Sequence, residues 1–418
     1  MSAWSRCSSG EADVLVSPGR RGPCRGVTMT ELMVSLALSS VVALAGIALT
    51  TVYAASFTDQ LQTADLQENL WAAGDILARE IRKAGQGFAM CPEGRVQYWL
   101  AGATHSTNPR YALPPLVVTN NRYMRANGTF TSGIDADGPD LIDLYYGDAE
   151  QMSLGGDASL TANHDQANAI FSVSDVTSFA QRDFFVAWDP VDSTKRCALF
   201  QVTSINVAAR QIFHAAGTAF PSQSPHNPPA GIAMDPFLAG ASYSTGALLT
   251  RVGRLRRVQL FVRDPKGPRP QLMLDRFDRD SNNDGIMESN PFPVADGVED
   301  LQISVACDRN GNGNPLDLAP ETATDAQKRG DDFFPNVIGD LGAPCYDAFG
   351  TSPTRPPIAA VRLQIVTRTR SEGAARYQAR PALEDRAAPS AGATPAEGGV
   401  GGYRRRVQTL LVSMRNVF

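Results

Sequence analysis

The chain has 418 residues, 43% of them hydrophobic, enough to bury the core of one large domain or two modest ones. Its 38 basic and 43 acidic residues leave a net charge of -5, which gives a polyanion no general hold and excludes nucleic acid as an expected partner. The charge is uneven, because residues 1–26 hold Arg6, Arg20, Arg21 and Arg25 against only Glu11 and Asp13.

A basic stretch ahead of an apolar run is how an export or membrane-insertion signal reads, with the arginines left in the cytoplasm. The run comes next. From Leu32 to Thr58 no residue is charged, and LMVSLALSSVVALAGIALTTVYAA is long enough to cross a bilayer as a helix. One acid, Glu31, stands at its edge, where a lone carboxylate beside hydrocarbon is costly and needs a partner. Three readings compete: a secretion signal cut near Ala54 or Ala55, a permanent anchor, or a leader cut ahead of the apolar run.

Residues 59–85 continue the pattern in another form. Leu66, Leu70, Ala73, Leu77 and Ile81 recur at three- and four-residue steps with polar residues between them, which predicts an amphipathic helix. No proline interrupts Val27 to Ala84, Asp75 precedes Arg79 by four residues, and Gly85 with Gly87 supplies a stop. The expectation is one helix of about 85 Å, at 1.5 Å per residue, running from a membrane into a soluble domain. A secretion signal would need a break near Ala55, and there is none.

Beyond Gly87 short apolar runs alternate with turn-rich loops. Expected strands are Leu116 to Thr119, Leu141 to Tyr146, Phe184 to Trp188, Ala198 to Val207, Ala247 to Val252, Arg257 to Arg263, Gln271 to Leu274, Leu301 to Cys307, Ala359 to Arg368 and Arg405 to Met414. Alternation in Val361, Leu363, Ile365 and in Val407, Thr409, Leu411 suits half-buried antiparallel strands. Pro221 to Gly246 and Pro381 to Gly402 read as exposed loops, the second, over residues 381–402, as a mobile excursion between the last two strands. The fold class expected is α+β: a long N-terminal helix packed on antiparallel sheet, with large loop insertions.

Of the cysteines, Cys7 and Cys24 fall in the first 26 residues, leaving Cys91, Cys197, Cys307 and Cys345. An even number suits an oxidising compartment, four cysteines allow three pairings, and four buried thiols are the bland alternative. Two acidic loops alternate side-chain oxygens and then place a glycine: Asp278, Asp280, Asn282, Asp284, Gly285 with Glu288, and Asp308, Asn310, Asn312, Gly313. This is how a calcium loop of the EF-hand kind begins, but neither carries a glutamate at its twelfth position, and Asp, Asn and Gly also simply make turns. A Ca2+ ion of weak, extracellular type is the one cofactor the sequence raises, and none is required. His105, His164, His214 and His226 lie in separate contexts and read as loop or surface residues; no G-x-S-x-G elbow or phosphate loop occurs, so an enzyme is not expected. A membrane-anchored adhesin or calcium-binding module is the competing class.

The junction Arg25, Gly26, Val27, Thr28, Met29, Thr30, Glu31, Leu32, Met33 resembles the prepilin peptidase site of type IV pilins and pseudopilins, a family that usually has Phe where this chain has Val27 and an aliphatic residue where it has Thr30. VADGVEDLQISVACDRNGNGNPLD, from Val294 to Asp317, and YRRRVQTLLVSMRN, from Tyr403 to Asn416, resemble PilW-type minor pilins and more weakly the J-type pseudopilin of type II secretion. The middle third carries no motif. The resemblance implies a leader over 1–26, a filament-core half of the helix over 27–58, its amphipathic half over 59–85 and a β-rich head over 86–418. It also implies cleavage after Gly26, methylation of Val27, and Glu31 neutralising the amine of a neighbouring subunit. Its implied partners are prepilin peptidase, other minor pilins, the major pilin and the inner membrane. The implied place is the inner membrane as a single-pass protein, then the periplasm and the surface pilus.

Overall fold

The computed structural model describes residues 27–88, 91, 96–99, 111–113, 115–131, 138–148, 157–164, 169–191, 197–228, 243–281, 285–307, 333–334, 358–369 and 403–414. One compact unit ends at Asp59 and a second runs from Gln60 onward. The helix Met29–Lys83, 55 residues, contributes to both.

In the first unit the helix is apolar on every side. Its most apolar stretch has a mean hydropathy of 2.4 with none of it buried, and Leu36, Val41, Leu44, Ile47 and Val52 all stand exposed. Six hydroxyls, on Ser35, Ser39, Ser40, Thr50, Thr51 and Thr58, donate to helix carbonyls three or four residues back at 2.7–2.9 Å. These polar groups are therefore satisfied without water.

In the second unit Leu66, Leu70, Ala73, Leu77 and Ile81 are buried, the seam that their spacing predicts. Leu70, Ala73, Leu77 and Ile81 share one core with two sheets. The first runs Phe292–Asp296, Gln271–Asp275, Leu255–Arg263, Leu141–Gly147, Leu116–Thr119, and the second runs Phe333–Phe334, Val298–Cys307, Ile358–Arg368, Arg405–Ser413; all pairs in both are antiparallel. The helix comes closest where it has no side chain: a Cβ on Gly74 would lie 2.8 Å from Leu410 Cδ1. The architecture is thus α+β, as expected.

The chain leaves strand Leu141–Gly147 at Asp148 and rejoins its antiparallel neighbour at Arg254, and Asp148 N donates to the Arg254 carbonyl at 3.0 Å. The described residues between, together with two strands that precede Leu116, form a lobe with its own core of Phe171, Phe185, Phe200, Ile212 and Leu249. Its main sheet runs Tyr111–Leu113, Val96–Tyr98, Cys197–Gln201, Phe184–Trp188, Leu248–Gly253, Ala158–Ser159. Val96–Tyr98 pairs parallel to Cys197–Gln201, the exception in a sheet otherwise antiparallel.

Two expectations need correction here. The strand expected over Ala198 to Val207 is two strands, Cys197–Gln201 and Ser204–Asn206, which belong to different sheets. The Pro221 to Gly246 stretch is not simply an exposed loop, because Ser224, His226 and Asn227 are buried. Asn227 imitates a pairing strand: its Oδ1 accepts from Gln201 N at 2.7 Å and its Nδ2 donates to Gln201 O at 2.8 Å. The 381–402 excursion lies outside the described residues.

Candidate functional site: the helix start and the GVEDLQ strand

Gly26 lies outside the described residues, and Val27 stands 71% exposed just before the helix. Thr28 caps that helix. Glu31 N donates to Thr28 Oγ1 at 3.2 Å, and Thr28 N donates to Glu31 Oε2 at 3.0 Å. This reciprocal capping box satisfies two otherwise unpaired donors and sets a carboxylate where the helix dipole favours one. Sequence reasoning named Glu31 for its charge and missed Thr28, although the T-x-x-E spacing was the signal. The cap also fixes where Glu31 points: toward the chain start that carries Val27.

The second element is the strand that begins GVEDLQ. Gly297 has φ +75°, donates its N–H to the Pro270 carbonyl at 2.7 Å and accepts from Arg368 N at 2.8 Å. The pairing register shifts between Val298 and Asp300, and Glu299 sits at that irregularity. Arg405 Nε lies 2.5 Å from Glu299 Oε1 and Arg368 Nη1 lies 3.6 Å from Oε2, with all three side chains buried. Burial pushes the Glu299 carboxyl up, and Arg405 and then Arg368 pull against it. Tyr403 lays its ring against both guanidinia, 4.6 Å from that of Arg368 and 5.9 Å from that of Arg405. Gln302 Nε2 donates to Asp300 Oδ1 at 2.9 Å and to the Gly138 carbonyl at 3.1 Å. The motif therefore ties the two C-terminal strands together, and its charges act on each other.

Two family models match the chain. Residues 259–416 match type IV pilus-assembly protein W, and residues 21–47 match the prokaryotic N-terminal methylation motif. Over these two stretches the chain is similar to minor pilins of the PilW family. No curated protein and no solved structure matches it. The PilW match takes in the GVEDLQ strand with Arg368, Tyr403 and Arg405, and the methylation match brackets Gly26, Val27, Thr28 and Glu31.

Outside both matches, Cys91 and Cys197 form a disulfide, their Cα atoms 5.7 Å apart across 106 residues of sequence. Cys345 lies outside the described residues, and only the backbone of Cys307 is described. Of the first acidic loop, Asp278, Asp280 and Glu288 are described, while Asn282 and Asp284 are not; Asp308, Asn310 and Asn312 of the second also lie outside. Asp280 Oδ2 accepts from Gly285 N at 3.2 Å and Glu288 Oε2 accepts from the Ser281 hydroxyl at 2.5 Å, as a turn would require. Among the described residues no three His, Cys, Asp or Glu side chains gather as metal ligands.

The histidines correct the sequence reading. His164, His214 and His226 are buried, and His105 lies outside the described residues. Aromatic packing pulls the first two inward: His164 stacks on Phe171 with centroids 3.7 Å apart, and its Nε2 meets His214 Nε2 at 3.1 Å. His226 joins two regions, with Nδ1 2.7 Å from the Tyr98 hydroxyl and Nε2 3.0 Å from the Gly285 carbonyl. Because a carbonyl only accepts, Nε2 is the donor in the contact to Gly285.

Proposed function

We propose that this PilW-type minor pilin is cut by prepilin peptidase after Gly26 and methylated at Val27. It then waits in the inner membrane as a single-pass protein and joins other minor pilins and the major pilin, priming or capping the filament. The observation that carries this reading is an apolar helix exposed on all sides that opens, within the methylation match, on the Thr28–Glu31 box. Glu31 is bound only locally among the described contacts and lies exposed, so its carboxylate is available to the amine of a neighbour. A buried amine and carboxylate that meet in an apolar filament would hold register, because either one alone is costly there. The match over residues 259–416 favours a pilus over a secretion pseudopilus.

The deciding experiment is the N-terminal sequence and mass of the protein from membranes of cells with and without prepilin peptidase. A peptidase-dependent terminus at Val27 is expected. A terminus near Ser56, or an intact leader in both strains, would leave an anchored or secreted binding protein.

A further inference from the structure

The described histidines, His164, His214 and His226, are all buried and all lie between Asp148 and Arg254 in the chain, whereas the described residues of the helix-bearing core include none. Two of them face each other. His164 Nε2 lies 3.1 Å from His214 Nε2, and each residue is only 4% exposed. One hydrogen fits between two ring nitrogens at that distance, so one Nε2 donates and the other, which accepts, must be unprotonated. Protonating both would set two N–H groups against each other.

The surroundings hold a charge poorly. Phe171 stacks on His164 at 3.7 Å between centroids, Phe200 lies 4.7 Å from His214, and Tyr243 lies 6.4 Å from His164. Of these three rings Tyr243 alone is titratable, and a phenol ordinarily stays neutral below about pH 10. A cation is drawn to the face of Phe171, but it loses more in hydration than it gains there, so the closed lobe favours neutral imidazoles. The pair also sits where the lobe is joined together. Phe171 belongs to the three-stranded sheet and Phe200 to the main sheet, while His164 N donates to the Tyr243 carbonyl at 2.9 Å and His214 N to that of Ala169 at 3.0 Å.

We propose that His164 and His214 form an acid-sensitive clasp, which lets the lobe open ahead of the helix-bearing core when the surroundings acidify. The sign follows from proton uptake. An exposed imidazole charges below about pH 6.5, so the open form binds protons that the closed pair excludes, and opening is favoured as the pH falls through that value. A lobe with its own hydrophobic core can open as a unit of its own. The clasp stands whether or not the chain is processed as a pilin; in an exported head it would make the lobe responsive to external acid.

The test is hydrogen exchange of the full-length protein in detergent at pH 7.5 and 5.5, corrected for the intrinsic rate at each pH, read on peptides holding Phe171, Phe200 and Ile212 for the lobe and Ile303 and Leu363 for the core. Lobe protection is expected to fall at pH 5.5 by about tenfold for each histidine that charges only on opening, with core protection unchanged. The double variant His164→Gln with His214→Gln, which keeps a neutral polar pair, should lose that response, and His214→Gln alone should keep at most about a tenfold part of it. Equal lobe protection at both pH values in the wild type overturns the clasp, as does a parallel loss in lobe and core. A double variant that folds and still responds like the wild type overturns it too; should that variant not fold, an undiminished response in His214→Gln does the same.

Discussion

Gly297 meets two demands that alanine cannot. Its φ of +75° lies in the left-handed region, and an added Cβ would stand 2.7 Å from the Arg368 carbonyl oxygen. The conformation alone costs a β-carbon about 1–2 kcal/mol, so Gly297→Ala should lower the urea midpoint by more than that, with an unchanged slope. Glu299→Ala should cost about 3–5 kcal/mol by the same measurement, since it strands Arg368 and Arg405 without their buried carboxylate. Glu31→Ala is expected to behave differently: unfolding of the soluble part stays as it was, while recovery of the subunit in pili falls. Glu31 was legible because a lone acid at the edge of an uncharged run has few explanations. Glu80 was not, since an acid in a helix reads as solvent-facing. It is wholly buried because Lys83 at 3.1 Å, the Tyr146 hydroxyl at 3.1 Å and Arg276 at 3.5 Å converge on it. Burial first and the Glu80 carboxylate next push the Tyr146 phenol well above its usual range.

Helix and sheet touch through Gly74, and the neighbouring atom there is the movable end of Leu410. Gly74→Ala should be absorbed by a small swing of Leu410, whereas Gly74→Leu should lift the helix and cost about 1–3 kcal/mol in thermal or urea unfolding. This close approach had no sign in the sequence beyond a glycine inside a helical pattern. The buried seam from Leu66 to Ile81 did, because a helix that rests on a sheet must repeat apolar residues at its own period. Phe184–Trp188 and Leu116–Thr119 fall where the apolar runs place them. Strands such as Val96–Tyr98, Ile170–Ser172 and Gln211–Phe213 have three residues each, too few to show alternation, and depend on partners remote in sequence. The break in Ala198 to Val207 was hidden for a related reason: buried Val202 and Thr203 continue the apolar texture through a change of sheet.

At the scale of the molecule, the helix-bearing core and the lobe are separate hydrophobic cores joined where the chain passes Asp148 and Arg254. The disulfide bonds Cys91, just past the helix, to Cys197 in the lobe sheet. A loop of roughly a hundred residues closed in this way stabilises by about 4–5 kcal/mol on chain-entropy grounds, so Cys197→Ser, or reduction, should lower the melting temperature clearly. A chain that starts at Gln60 should be soluble without detergent and unfold cooperatively, since the unit after Asp59 carries the cores by itself. The α+β class and the span were readable from periodicity and charge. The lobe was not, because its hairpin doorway pairs residues more than a hundred positions apart.

The hydroxyls that bond back onto the apolar helix have a consequence for how the span changes surroundings. Acyl chains are about as apolar as leucine side chains, so a helix whose serines and threonines are already satisfied is solvated almost equally by lipid or by other helices. Moving it from one to the other is then close to an even exchange, reversible in principle. If the proposed assembly moves the helix from lipid to other helices, the direction would be set at its margins, the charged turn at Glu31 among them.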